Sequence, residues 1–312
     1  MKRVTIWWLR ILALSVLLSA ASFFGHFGWF FDLTAHFRLQ YFFIQLLGVL
    51  WSLASRRTSL LLPLLLFSLL NGVEIFTIYS APELIQNPIK GSKFTLLELN
   101  LWRVHPRPDL VIEYLVKNKS DFLVLIEMTK DWEQRLHSIK KEYPFGVTSS
   151  RKDNFGLALW SRKPLLNCQV LPFDDEARPA IKAQFTSGGR TLDLVVAHPP
   201  PPKHPRYFRL RNEYFSRLHK LSKGTNPLVL IGDLNTPSWS RHFQELMTRM
   251  KLRDSRQGFG THATWPAIFP FLLTPLDHCL VSREILVLDR RVGPNVLSDH
   301  YPISLQLALS KE

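Results

Sequence analysis

Apolar residues are distributed along this chain in two regimes. Up to residue 80 they form long runs. Ile11–Phe31 and Leu39–Ser55 contain no Asp, Glu, Lys or Arg, and Thr58–Tyr79 contains only Glu74. Each run approaches the roughly 20 apolar residues that an α-helix needs to cross a bilayer. The first run, preceded by Lys2, Arg3 and Arg10, also has the outline of a signal peptide. Two further runs follow at once, however, and no small-residue cleavage pattern precedes Phe23-Phe24. The pattern therefore predicts three transmembrane helices in a membrane anchor spanning residues 1–82.

Past a linker at 83–92 that holds Pro and Gly, the apolar runs shorten to strand length. Phe94–Trp102, Asp121–Glu127, Asn154–Trp160, Ala180–Phe185, Thr191–Ala197, Leu228–Ile231, Leu276–Val281 and Ile303–Leu309 read as strands. Helical spacing marks 109–118, where Leu110, Val111, Tyr114 and Leu115 recur, and also 131–141, 204–221 and 241–250. Ser187-Gly-Gly-Arg190 is a hairpin turn. Helices and strands alternate over residues 93–312, which predicts a single α/β (α+β) domain there.

Charge adds a partner class and an orientation. Of 39 Lys and Arg and 25 Asp and Glu, 33 and 22 lie beyond residue 89, a net charge of about +11. Such a surface suits anionic partners (nucleic acid, phospholipid headgroups, pyrophosphates) or lies against a membrane. Arg206, Arg209 and Arg211 in the helix at 204–221 are candidates for steering an anionic substrate. Lys2 and Arg3 precede the first run and Arg56-Arg57 separate the second from the third, whereas Arg38 in the first loop is offset by Asp32. By the positive-inside rule the N-terminus is cytoplasmic, and everything beyond about residue 82 lies outside, at the cell (inner) membrane. Glu74 stands about two turns from the outer end of its run, close enough to reach the interface. Cys168 and Cys279 allow one disulfide outside the cytoplasm, although Cys279 sits mid-strand and reads as a buried apolar residue.

The strands end on side chains that carry chemistry. Leu228–Ile231 runs into Gly232-Asp-Leu-Asn-Thr-Pro237, and in extended backbone Asp233 and Asn235 point to the same side. Taken alone this is also an ordinary strand-to-turn exit. Yet Asn100, Glu127 and His198 likewise close apolar strands, Asp277 opens one, and Ser298-Asp-His300 precedes the last. In this order the motifs resemble the endonuclease/exonuclease/phosphatase superfamily over roughly residues 93–309, the Gly-Asp-Leu-Asn and Ser-Asp-His pair being the most specific feature.

That resemblance implies a four-layer, DNase I-like β-sandwich with flanking helices. It implies Glu127, Asn100 and Asp299 as metal ligands, with Mg²⁺ as the cation and Mn²⁺ as the alternative. It implies His300 on the scissile phosphate as donor or general base, Asp277 orienting it, Asp233 and Asn235 aligning the attacking water, and His198 as a second phosphate-binding histidine. His278, His262 and His242 receive no role and read as surface or substrate-side residues. The layout of three spans plus this domain resembles bacterial membrane proteins related to VanJ-type glycopeptide-resistance factors. The expected activity is hydrolysis of a phosphate ester or pyrophosphate by a membrane-anchored phosphoesterase. A lipid-linked substrate is favoured over nucleic acid, and a non-catalytic membrane scaffold is the remaining alternative.

Overall fold

The computed structural model describes residues 2–80, 89–222 and 224–311. Four helices open the chain: α1 (Lys2–Ser22), α2 (Trp29–Thr34), α3 (Arg38–Ala54) and α4 (Leu61–Phe76). Three segments are long and apolar enough to cross a membrane: Arg3–Ser22, Trp29–Ala54 and Leu61–Tyr79. The first lies upstream of the expected Ile11–Phe31. The helix stops at Ser22, ahead of a 3-10 turn at Gly25–Phe27, because Gly25 and Gly28 are poor helix residues. Its start takes in Lys2, Arg3 and Arg10 instead.

Inside the bundle the polar side chains find one another. Asn71 donates to Ser19 Oγ at 2.8 Å and to Gln45 Oε1 at 2.9 Å, while Arg38 donates to Asn71 Oδ1 and Ser22 Oγ. Hydrogen bonds of this kind between apolar helices contribute about 0.6–2 kcal/mol each.

The rest of the chain folds as two six-stranded sheets packed face to face. The first holds β1 (Phe94–Asn100), β2 (Phe122–Ile126), β3 (Phe145–Ser149), β4 (Leu157–Ser161), β11 (Ile285–Val292) and β12 (Ile303–Leu309), in the order β11-β12-β1-β2-β4-β3. The second holds β5 (Leu166–Pro172), β6 (Pro179–Ser187), β7 (Arg190–Ala197), β8 (Leu228–Asp233), β9 (Arg253–Asp254) and β10 (Asp277–Val281), in the order β5-β6-β7-β8-β10-β9. α5 (Pro108–Lys117), α6 (Lys130–Arg135) and α7 (His137–Lys140) cover the first sheet, and α8 (Pro205–Leu221) and α9 (Arg241–Met250) the second. The expected single helix at 131–141 is thus two short ones.

Both faces of the central strands are covered, which explains why their sequences run apolar without alternation. In β2, Phe122, Val124 and Ile126 enter the space between the sheets, and Leu123 and Leu125 face the helices. In β8, Val229 and Ile231 turn inward and Leu228 and Leu230 outward. Each such side chain contributes about 1.5–3 kcal/mol on burial. The Ser187–Arg190 hairpin forms with Gly188 and Gly189 both at positive φ. Cys168 and Cys279 are free thiols in this fold.

Topology sets the place of the site. β1 and β2 are parallel, joined through α5, and β7 and β8 are parallel, joined through α8. β10 runs antiparallel to β8, pairing Asp277 with Asp233, and β12 runs antiparallel to β1. The carboxyl ends of four strands and the amino ends of two therefore meet at one end of the sandwich.

The helical bundle docks onto the second sheet's helices. Asp32 accepts from Arg211 at 2.6 Å and from Ser240 at 2.7 Å, and both Asp32 and Arg211 are fully buried. Removing one partner of a buried pair costs about 3–5 kcal/mol. Trp239 Nε1 donates to the Ala35 carbonyl, and Gln244 to Glu74 at 3.1 Å. Arg211 is thus a structural anchor and not part of a steering surface, and Arg206 pairs with Glu176. Of the expected linker, residues 83–88 lie outside the described residues. Ile89 already belongs to the sandwich, its N–H donating to Leu309 at 2.8 Å.

Candidate active site

Asn100, at the end of β1, faces the space between the sheets with Leu96 and Glu98. Its Nδ2 donates to Asp233 Oδ2 at 3.2 Å and its Oδ1 accepts the Trp102 N–H at 3.0 Å. Glu127 follows β2 in left-handed backbone, φ 60°, a conformation uncommon for a residue with a side chain. That turn brings its carboxylate to the Arg103 N–H (2.8 Å) and to Asn154 Nδ2 (2.9 Å).

On the second sheet, Gly232 lets β8 pass close to β7, at φ 144° and where a Cβ would collide with the Ala197 carbonyl. Asp233 Oδ1 accepts the Asn235 N–H at 2.9 Å. Asn235 has φ 49°, and its amide donates to the Pro199 carbonyl at 3.0 Å and approaches His198 Nε2 at 3.4 Å. His198 Nε2 is therefore the unprotonated nitrogen, and its Nδ1 is buried with no partner among the described residues. Burial pushes the His198 imidazole down to about 3, so it stays neutral.

The amino ends of β10 and β12 complete the group. His300 Nδ1 donates to Asp277 Oδ2 at 2.8 Å, and His300 Nε2 lies 3.6 Å from Asp233 Oδ2. Burial alone would deprotonate His300, but Asp277 and Asp233 outweigh it and hold the imidazole well above its ordinary value. Burial raises Asp277 too, yet His300 prevails and keeps it ionised, below the usual carboxylate range. Asp233 is pushed up to about 7 by burial, against the pull of His300. Ser298 Oγ donates to the Asn100 carbonyl at 2.7 Å, so the Ser-Asp-His loop is pinned to the first sheet.

A divalent cation needs hard oxygen ligands with lone pairs to spare. Asp299 Oδ1 is buried without a partner among the described residues, and the charge of Asp299 helps to raise Glu127. Burial raises both carboxylates as well. A cation would relieve that crowding, so these residues fit one. Asn100 is less available, since both ends of its amide are engaged. Asp233, Asp277 and His300 also present ligand atoms within 4.8 Å of one another. The 2.8 Å His300–Asp277 hydrogen bond already uses one pair of that trio.

All eight expected residues thus gather at one end of the sandwich, and seven of them sit within or around one cavity. It measures about 450 Å³ and is lined by Glu127, His198, Asp233, Asn235, Asp299 and His300, with Asp277 behind His300. Some of its wall is not legible in the sequence: Asn154, Phe155, Tyr207 and Trp265 from the domain, and Leu33, His36 and Phe37 from the N-terminal helical bundle. His278 departs from its expected place at the surface. It is fully buried, bonded to the Thr236 carbonyl at 2.9 Å and packed on Phe243, because β10 alternates and Asp277 takes the inward side.

Glu98 belongs to the site although no sequence motif marks it. Both its oxygens and Asp277 Oδ1 are buried without partners among the described residues. Burial and the charges of Asp277 and Asp233 raise Glu98 well above its ordinary value. A protonated Glu98 donating to Asp277 satisfies both groups with one hydrogen. Glu98→Gln keeps a neutral donor and is expected to retain most activity, whereas Glu98→Leu strands Asp277 Oδ1 and is expected to lower turnover. Steady-state kinetics of both variants, with circular dichroism to confirm folding, checks this.

Comparison with known proteins bears on this arrangement. Residues 97–300 match the Endonuclease/Exonuclease/phosphatase family. Among solved structures, D. rerio TDP2 complexed with single strand DNA product is similar at 16% identity and TM-score 0.56, covering 69% of this chain and 99% of that one. The human Nocturnin catalytic domain with bound sulfate anion is similar at 15% identity and TM-score 0.56, covering 72% and 96%. A family protein from Bacteroides thetaiotaomicron is similar at 14% identity and TM-score 0.57, covering 70% and 99%. A search of curated proteins gave no match.

Proposed function

This chain belongs to the endonuclease/exonuclease/phosphatase family, and on that premise we propose that it is a membrane-anchored, metal-dependent phosphoesterase acting on a lipid-linked phosphate ester or pyrophosphate. The observation that carries the choice of substrate is the cavity wall. Leu33, His36 and Phe37 belong to the segment between α1 and α3, yet they line the same cavity as His300 and Asp233. A headgroup entering that cavity comes from the level of the membrane surface.

Each residue has a task in such a reaction. Glu127 and Asp299 would hold the cation, with Mg²⁺ the favoured ion, and a bound cation supplies Lewis-acid stabilisation of phosphoryl oxygens. Asp233, with its raised affinity for a proton and its Nδ2–H and N–H donors from Asn100 and Asn235, takes the proton of the attacking water. His300, held protonated by Asp277, donates to a phosphoryl oxygen through Nε2. His198 remains neutral, and its Nδ1–H is available to a second phosphate oxygen.

Detergent-solubilised protein offered polyprenyl pyrophosphate, sphingomyelin and plasmid DNA tests the reading, with Mg²⁺ and with chelator. The expected result is chelator-sensitive release of phosphate from the lipid. Nicking of DNA alone would establish the runner-up, a nucleic-acid phosphodiesterase, which the net positive charge favours. Absence of turnover on all three would leave a scaffold. Glu127→Gln removes the charge and keeps the shape. A unit charge at 4 Å is worth about 1–4 kcal/mol at effective dielectrics of 80 to 20, so half-saturation by Mg²⁺ should rise on the order of 5- to 1000-fold.

Orientation follows from the same architecture. The amino end of α1 and the α3–α4 connection, with Arg56 and Arg57, lie at the far end of the bundle from the catalytic domain. Basic residues prefer the cytoplasmic side, which supports the reading that the catalytic domain lies outside the cytoplasm. Alkaline phosphatase fused after Glu312 is expected to be active, and a fluorescent cytoplasmic reporter at the same site would reverse the assignment.

A further inference from the structure

Residues 263–276 contain no charged side chain. Between Trp265 and Thr274 they form a loop that leaves four large apolar side chains in the open: Ile268, Phe269, Leu272 and Phe271, the last 92% exposed. Four on one loop make a patch, which marks an interaction surface more strongly than scattered single residues do. The loop is nonetheless held firmly. Trp265 and Thr274 bridge through their backbones, and the Ala267 N–H donates to the Asp299 carbonyl at 2.8 Å. Gln40, at the start of α3, donates to the carbonyls of Phe271 and Leu273, both at 3.2 Å. Those two bonds fix the patch beside the start of α3, the long helix of the candidate span Trp29–Ala54. On the anchor side, α2 exposes Phe30 and Phe31, and the turn before it exposes Phe24 and Phe27. The catalytic cavity is walled by both elements: by Trp265 and Leu276 at the base of the loop, and by Leu33 and Phe37 beyond the aromatic run.

We propose that the loop 266–273 is immersed in the interface of the bilayer, in the leaflet facing the catalytic domain, and that together with α2 it sets the mouth of the cavity onto the lipid headgroups. The occupant of the patch is the bilayer itself. The loop adjoins the start of α3 through Gln40, and no charged side chain interrupts residues 263–276, whereas the rim of a protein–protein interface is polar. Aromatic residues at the ends of membrane helices favour this depth. The proposal rests on the membrane-bound reading given under Proposed function, but not on which phosphate ester is cleaved.

The test uses the full chain. Phe271→Cys in a Cys168→Ser background is labelled in detergent with a polarity-sensitive fluorophore and reconstituted into phosphatidylcholine vesicles. Cys279 is fully buried and stays unlabelled. The expected result is loss of fluorescence with bromine-bearing acyl chains and protection from aqueous iodide. Quenching by iodide without quenching by bromine overturns the proposal, and so does protection from both, which would mean that protein covers the loop. In a second arm, Phe269→Ser/Phe271→Ser is assayed on vesicle-embedded polyprenyl pyrophosphate and on soluble bis(p-nitrophenyl) phosphate. Loss confined to the embedded substrate supports the proposal, and equal loss on both overturns it. If the parent protein turns over neither compound, the phosphoesterase reading fails while the quenching still decides the place of the loop.

Discussion

His300→Ala is expected to lower turnover by about 10²–10⁴-fold, the usual contribution of a positioned proton donor, while leaving Mg²⁺ half-saturation nearly unchanged. The geometry gives the reason. The ring is held by Asp277 at 2.8 Å on one nitrogen and presents the other toward the cavity, 3.6 Å from Asp233. Its removal takes away the imidazolium of the site, and His198 does not replace it because burial keeps that ring neutral. Asp277→Asn should show a milder version of the same defect, since Asp277 acts through the ring. The double variant should be no slower than His300→Ala alone, because residues that work as one unit are not additive. Additive losses would separate the two residues and end the assignment of Asp277 as the orienting group.

Asp233→Asn is the second large effect, also about 10²–10⁴-fold on turnover, and it carries a signature in pH. A group whose proton affinity is raised by burial works as a base only above its own pKa. With Asp233 near 7, the parent rate should climb as pH rises through that value. It should fall again at alkaline pH, where His300, whose pKa is raised, gives up its proton. The profile is a bell, and added Mg²⁺ should move its acid limb to lower pH, because a nearby cation stabilises the carboxylate. In Asp233→Asn the acid limb should disappear and the alkaline limb persist at lower pH, because Asp233 no longer helps to hold the His300 proton. A variant that keeps the acid limb would place the base elsewhere in the site.

Much of this site can be read from the sequence because of one physical regularity. A strand buried on both faces is a run of apolar residues, so a carboxylate, amide or imidazole at its end stands out. Asn100, Glu127, His198 and Asp233 are visible in this way, and the three apolar helices are visible by length. What stays hidden depends on partners far along the chain or on strands without a pattern. Arg211 sits on a helix whose polar face looks solvated, and its partner Asp32 is 179 residues away. Glu98 looks like an ordinary interruption in a strand until the fold puts Asp277 beside it. β3 and β5 lie at sheet edges, exposed or half-exposed throughout, with no alternation to detect. The loop carrying Phe271 is an apolar run too short to span and too irregular for either period.

Glu127 and Asn235 at the cavity, and Trp102 just past β1, all hold left-handed backbone, at φ 60°, 49° and 53°. A side chain in that conformation costs about 1–2 kcal/mol relative to glycine, less for asparagine. At Glu127 and Asn235, which face the cavity, backbone ease and activity therefore pull in opposite directions. Glycine at 127 would relax the backbone but remove the acceptor of the Arg103 N–H and Asn154 together with the carboxylate proposed to hold the cation. Selection for easier backbone alone would therefore act against the two turns that carry the site, and a stabilised descendant of this fold is best checked for activity at 127 and 235 first.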